Sequence, residues 1–210
     1  MSEQATVYQD QNHVEMCGIV DEVPRISHTA GEQCFCTFPL VIPRLSGTED
    51  RLHVITPQIS LPPQSLPKGS VVHICGSLRS RNQHENNRYR LILSVFARCI
   101  DTEEPCCFPQ NDVSLIGTIC KSPVYRTTPL GREVCDIMLA VRRHYGRADF
   151  LPLIAWGKNA VLASHAEVGQ MIACQGRFQS RIYTKTVEDV TTERTAFEVS
   201  LASLQLLPRT

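Results

Sequence analysis

Aromatic side chains are scarce in this sequence and net charge is missing. Phe, Trp and Tyr make up 6% of 210 residues, Trp occurs once, and 21 Lys+Arg balance 21 Asp+Glu. Zero formal charge removes any global pull toward nucleic acid or an anionic membrane. No apolar run approaches the ~20 residues of a membrane span, and the opening MSEQATVYQDQN has no signal-peptide core. No membrane partner is expected, and the expected location is the cytoplasm. Ligand spacing for zinc is also missing: Cys34 and Cys36, or the pair Cys106–Cys107, find no second Cys/His half. Neither a metal nor another cofactor is expected, and the ten Cys read as reduced thiols, many of them small buried hydrophobes. Without a Gly-rich phosphate loop or a nucleophile motif, an enzyme has no support.

What is present centres on Phe150–Lys158, FLPLIAWGK, which holds the single Trp. Leu151, Leu153 and Ala155 alternate with Phe150, Pro152, Ile154 and Trp156, so a strand here has two apolar faces. Such a strand is either buried on both sides or offers its aromatics to a ligand. Arg142, Arg143, Arg147 and Lys158 crowd around it, and flat apolar surfaces rimmed by cations suit single-stranded nucleic acid. The charge asymmetry is small but in the same sense. Residues 109–210 hold 12 Lys+Arg against 9 Asp+Glu, and residues 1–108 hold 9 against 12.

The chain repeats itself. NHVEMCGIV (Asn12–Val20) matches NDVSLIGTI (Asn111–Ile119), and KGSVVHICGSLRSR (Lys68–Arg81) matches VGQMIACQGRFQSR (Val168–Arg181). Similarity at one long period indicates a duplicated module. The expected domains are residues 1–104 and 105–210, joined through the polar, Pro-containing DTEEPCCFPQ (Asp101–Gln110). In the second copy strand signals run Val113–Ile119, Val134–Arg142, Phe150–Trp156, Met171–Phe178 and Thr195–Leu206. A helical signal at Asn159–Glu167, with Asn159 suited to N-capping, separates the third and fourth. That layout predicts an all-β chain of two tandem OB-folds, five-stranded Greek-key barrels, the second with a short helix between strands 3 and 4. In the first copy Pro57, Pro62, Pro63 and Pro67 argue against the helix. NQHENNRY (Asn82–Tyr89) reads as a loop, and Ile182–Thr195 as an extended hairpin with its tip at Glu188–Asp189.

NDVSLIGTICKSPVYRTTPLGREV, FLPLIAWGKNA, VGQMIACQGRFQSRIY and the closing SLQLL occur in that order over most of residues 111–207. Through them the second copy resembles the bacterial single-stranded DNA-binding (SSB) family. The resemblance implies sequence-tolerant binding of single-stranded DNA, no catalysis, and four OB-folds per assembly, hence a homodimer of this two-fold chain associated with the nucleoid. It implies base stacking on Tyr145, Phe150, Trp156 and Tyr183. Around them Arg126, Arg142, Arg143 and Lys158 are expected to meet phosphates, and Arg177 and Arg181 share with Tyr183 one face of the fourth strand, which is expected to lie beside the third. In the first copy the stacking positions become Ser46, Arg51, Pro57 and Gln83, so that copy is expected to serve assembly. Family members carry an acidic tail that recruits other proteins; LLPRT at the end of this sequence gives no such expectation. The alternative is a primosome-type OB protein that mainly contacts other proteins.

Overall fold

The structure is a computed structural model that describes residues 8–62, 66–85, 88–103, 108–143, 145–187 and 190–208. The period-two alternation of the sequence becomes alternation between core and surface. In the first copy β1 (Gln11–Val20), β2 (Arg25–Ala30), β3 (Gln33–Pro43), β4 (Glu49–Pro57), β5 (Val71–Glu85) and β6 (Arg88–Asp101) succeed one another. Five of them close in the order β1–β3–β4–β6–β5–β1, with β4 and β6 parallel and the other pairs antiparallel. The second copy has β7 (Gln110–Thr127), β8 (Glu133–Arg142), β9 (Ala148–Trp156), α1 (Lys158–Ser164), β10 (Met171–Val187) and β11 (Val190–Leu206). It closes as β7–β8–β9–β11–β10–β7, with β9 and β11 parallel. Both are OB-folds, as expected, and closure leaves no strand edge unpaired within either ring.

The duplication is written into the register. Val41 pairs with Arg51 in β3–β4 as Ala140 pairs with Phe150 in β8–β9, a shift of 99 residues. The same shift relates two buried carboxylates. Asp50 and Asp149 are fully buried, and each is gripped by a guanidinium across its hairpin, Arg44 Nε at 2.8 Å and Arg143 Nε at 2.7 Å. A second nitrogen of each arginine completes the fork, a geometry lysine does not reproduce. The carboxylates hold both guanidinium pKa values above their ordinary range. Backbone bonds from Arg44 to Thr48 and from Arg143 to Arg147 close the same two turns.

Glycine sets where paired strands come closest. A Cβ on Gly76 would lie 2.1 Å from the Phe96 carbonyl oxygen, and one on Gly176 would lie 2.2 Å from that of Ser200. Only hydrogen fits there, and the repeated Gly of the sequence marks the point. Phe178, two residues beyond Gly176, is fully buried, as its parity predicts. Its backbone N–H donates to the Asn111 side chain, whose amide donates back to the Phe178 carbonyl, at 3.0 and 2.8 Å. The Asn that opens the second repeat thus stands in for a strand neighbour.

Several local expectations are corrected. The helix ends at Ser164 and its N-cap is Gly157; Asn159 donates instead to the Ala202 carbonyl at 3.1 Å. No loop spans Asn82–Tyr89, because β5 runs to Glu85 and β6 begins at Arg88. Strand pairing there wins over the polar composition. The reduced state expected of all ten cysteines fails at Cys17, which is disulfide-bonded; Cys106, Cys107 and the Glu188–Asp189 tip lie outside the described residues. So does the expected boundary at 104/105. By compactness, one unit holds Val113–Arg177 with residues 8–12 and 199–208, and the other holds His13–Asp112 with Phe178–Glu198. Among the described residues no helix is long and apolar enough to cross a membrane.

Replacing Gly176 with Ala should lower unfolding stability by about 2 kcal/mol or more, because strand backbone must move. Urea unfolding followed by circular dichroism reads this, and an unchanged midpoint would contradict the close approach.

Candidate nucleic-acid interface

Strand β9 holds its aromatics outward while its other face fills the barrel. Leu151, Leu153 and Ala155 are buried, whereas Phe150 and Trp156 are 44% and 38% exposed. Ile154, between them in parity, is buried where β11 runs alongside through Ser200. Six residues of strand separate the two rings by roughly 20 Å, too far for one base to touch both. They are two stacking stations. Trp156 is fixed by the residue after it: Gly157 has φ +52° and its N–H donates to the Glu133 carbonyl at 3.0 Å, turning the chain into α1.

Around Trp156 an open groove is lined by Tyr125, Thr127, Gly131, Arg132, Glu133 and Gly157. Tyr125 is a candidate that sequence reasoning missed. It is 42% exposed and its hydroxyl donates to Glu133 at 2.9 Å, which raises the phenol above its ordinary pKa. The signal was the Val-Tyr-Arg run at the end of β7, which needs the β7–β8 pairing before it points to Trp156. Tyr145 is 95% exposed at the β8–β9 turn.

The cations divide into kinds. Lys158, the first residue of α1, and Arg142, at the end of β8, are exposed. Arg142 pairs with Ala148 and so is a diagonal neighbour of Phe150 on one face. Arg126 shares a cross-strand row with Val134 and Trp156 and makes an ion pair with Asp136 at 3.1 Å, both side chains 46% exposed. An exposed pair is worth only about 0–1 kcal/mol, so an arriving phosphate can take the guanidinium over. Arg143 differs, since it is committed to the buried Asp149. Its expected role in phosphate contact is the one the structure speaks against.

The fourth-strand set is placed differently from expectation. Arg177, Gln179, Arg181 and Tyr183 do share the outer face of β10, but β11 lies between β10 and β9. Greek-key closure puts the fifth strand beside the third, so chain order misleads here. Arg177 is half-buried in the unit of Val113–Arg177, while Arg181 and Tyr183 fall in the other. Arg181 stacks over the Tyr183 ring at 5.8 Å and meets Glu198 at 3.5 Å.

The first copy has Arg51 and Pro57 at the Phe150 and Trp156 positions, and Arg51 is tied to Asp21 at 2.8 Å and to Glu22. Its outer face carries planar groups elsewhere. His28 stacks on Phe35 at 4.8 Å and 6°, Phe35 meets Phe96 at 6.3 Å, and Arg79 lies 5.6 Å over Phe96. This row stands at positions other than those that carry the rings of the second copy.

Residues 110–207 match the model of the Single-strand binding protein family. The single-stranded DNA-binding protein of Enterococcus faecalis is 35% identical over 80 residues, covering 35% of this chain and 43% of the relative. Single-stranded DNA-binding protein 1 of Streptococcus pyogenes is 38% identical over 80 residues, covering 35% and 62%. The chain spans about half the length of the curated relatives it matches. In fold the whole chain is similar to the wild-type single-stranded DNA binding protein from Thermus aquaticus, with a TM-score of 0.76 at 23% identity over 97% of this chain and 96% of that one.

The two arginine kinds separate by stability. Arg143→Ala leaves a buried carboxylate without its cation and should cost about 3 kcal/mol, whereas Arg126→Ala should stay within about 0.5 kcal/mol of the parent. Thermal unfolding of the two variants checks the contrast; equal effects would contradict it.

Proposed function

Because residues 110–207 make this chain a member of the single-strand binding protein family, we propose that it binds single-stranded DNA with little sequence preference and without catalysis. The observation that carries the reading is the pair of half-exposed rings on β9, Phe150 and Trp156, at positions where the first copy has Arg51 and Pro57. The barrel closes equally well without them. Bases stack on Trp156, Phe150 and the exposed Tyr145 at about 1–3 kcal/mol each, with Tyr183 serving the β10 face. Phosphates meet Arg142, Lys158, Arg126, Arg177 and Arg181, a contribution that is blind to sequence and weakened by salt. Two such chains supply four OB-folds, so the working form is a homodimer. It shields exposed strands in replication, recombination or repair, in the nucleoid-associated cytoplasm.

One observation favours protein contact as a second reading. In the first copy Asp21 meets both Arg51 and Lys68, at 2.8 and 3.1 Å, which places a carboxylate that repels phosphate beside the Arg51 of β4. A primosome-type assembly role fits that surface better than it fits β9.

Oligo-dT added to the full chain should quench the fluorescence of the single Trp. Trp156→Ala should weaken binding by about 1–3 kcal/mol while retaining the salt dependence. No quenching, together with no salt-dependent binding by anisotropy of a labelled oligonucleotide, would favour the second reading.

A further inference from the structure

Three different metal-ligand types meet on the outer face of the first barrel. Glu15 of β1 is directly opposed to Cys75 of β5, and His73, two residues back along β5, shares their face. The His73 Nε2 lies 3.1 Å from a Glu15 carboxylate oxygen. One donor atom from each of Glu15, His73 and Cys75 lies within 4.8 Å of the other two, and all three side chains are half-buried. The strand beneath is irregular here: the β5–β6 register shifts between Cys75 and Gly76, and such a bulge re-aims the side chain beside it.

The second copy serves as an internal comparison. Its β7–β10 register pairs Ser114 with Gln175 as β1–β5 pairs Glu15 with Cys75, and Ala173 stands where His73 does. The same ring thus forms with a hydroxyl, a methyl and an amide at these three positions. Barrel closure does not require a carboxylate, an imidazole and a thiol there.

We propose that Glu15, His73 and Cys75 form a binding site for a divalent transition metal of the zinc class, its fourth position open to solvent. Imidazole nitrogen, thiolate sulfur and carboxylate oxygen bind Zn²⁺ at about 2.0–2.3 Å, which sets donor–donor separations of roughly 3.3–3.8 Å. The His73 and Glu15 atoms stand 3.1 Å apart and all three donors lie within 4.8 Å of one another, so small side-chain adjustments bring them to these separations. Sulfur and nitrogen in the set select against Mg²⁺ and Ca²⁺, which take oxygen ligands. Binding breaks the His73–Glu15 hydrogen bond, forms three metal–ligand bonds, and releases the Cys75 thiol proton to solvent. Sequence spacing could not show the site, because Glu15 and His73 meet across a strand pair with |i−j| of 58.

The test is a Co²⁺ titration of the full chain, stripped of metal by a chelator and kept under nitrogen. One Co²⁺ per chain should bind, with a thiolate-to-cobalt charge-transfer band that Zn²⁺ abolishes. Cys75→Ser should lose that band. Glu15→Gln, which keeps a hydrogen-bond partner for His73 and so preserves the local fold, should weaken binding at least about tenfold, as should His73→Ala, while Cys99→Ser retains it. Circular dichroism confirms that each variant is folded. The proposal is overturned by sub-stoichiometric binding to the parent, by a charge-transfer band that survives in Cys75→Ser, or by Glu15→Gln binding as tightly as the parent.

Discussion

The approach of backbone to backbone at Gly76 and Gly176 is the constraint on which the rest depends. A strand can pass within contact of the Phe96 or Ser200 carbonyl only where the side chain is hydrogen. At that distance β5 pairs antiparallel with β6, with a register shift beside Gly76, and β10 lies beside β11. β5 and β10 turn back onto β1 and β7, which closes each ring and turns one face of every strand inward. That inward face is where Leu78, Phe178, Leu40 and Leu139 lose all contact with solvent. A single methyl at this close approach would therefore act on the whole ring rather than on one contact.

The two copies separate what the fold requires from what it merely permits. The glycines at the close approach recur, and so does the arginine fork on a buried aspartate at the hairpin between the second and third barrel strands. A fully buried carboxylate is costly unless paired, so retention of Arg44–Asp50 and Arg143–Asp149 together marks them as structure. Outward positions behave otherwise. Phe150 corresponds to Arg51 in the repeat, Trp156 to Pro57, and Ala173 to His73. Where the surroundings are alike and the residues are not, packing within the ring is not what selects them.

Much of this was legible in the sequence, for reasons that are local. Alternation along FLPLIAWGK needs no partner strand to be read, and it set Leu151 and Leu153 on the face opposite Trp156. Which face is turned out came only with the family resemblance; Trp156 is half-exposed while the two leucines are buried. The repeated glycines were visible because repeats expose positions that cannot vary. What was not legible depends on which strands are neighbours. β10 comes after β9 in the chain but lies one strand away from it, so a platform joining Trp156 to Tyr183 across adjacent strands could not be inferred from chain order. Arg143 looked like any other cation near an aromatic strand until Asp149 was seen buried beside it. Asn159 looked like a cap because Asn caps well, yet β11 offers its amide the Ala202 carbonyl.

Charge pairing then explains how a chain with no net charge keeps one strand face suited to phosphate. The arginines around β9 differ in how firmly they are held. Arg143 is withdrawn from solvent by its buried partner, Arg126 is held by an exposed one, and Arg142 stands exposed beside Phe150. In the first copy the counterpart of Phe150 is itself an arginine, held by Asp21 and Glu22. Two carboxylates thus crowd that arginine, while Arg142 of the second copy stands exposed at the rim of the rings. Zero total charge conceals this difference because Coulomb attraction in salt acts over about 8–10 Å, a range set by the neighbours of one strand face rather than by the whole chain.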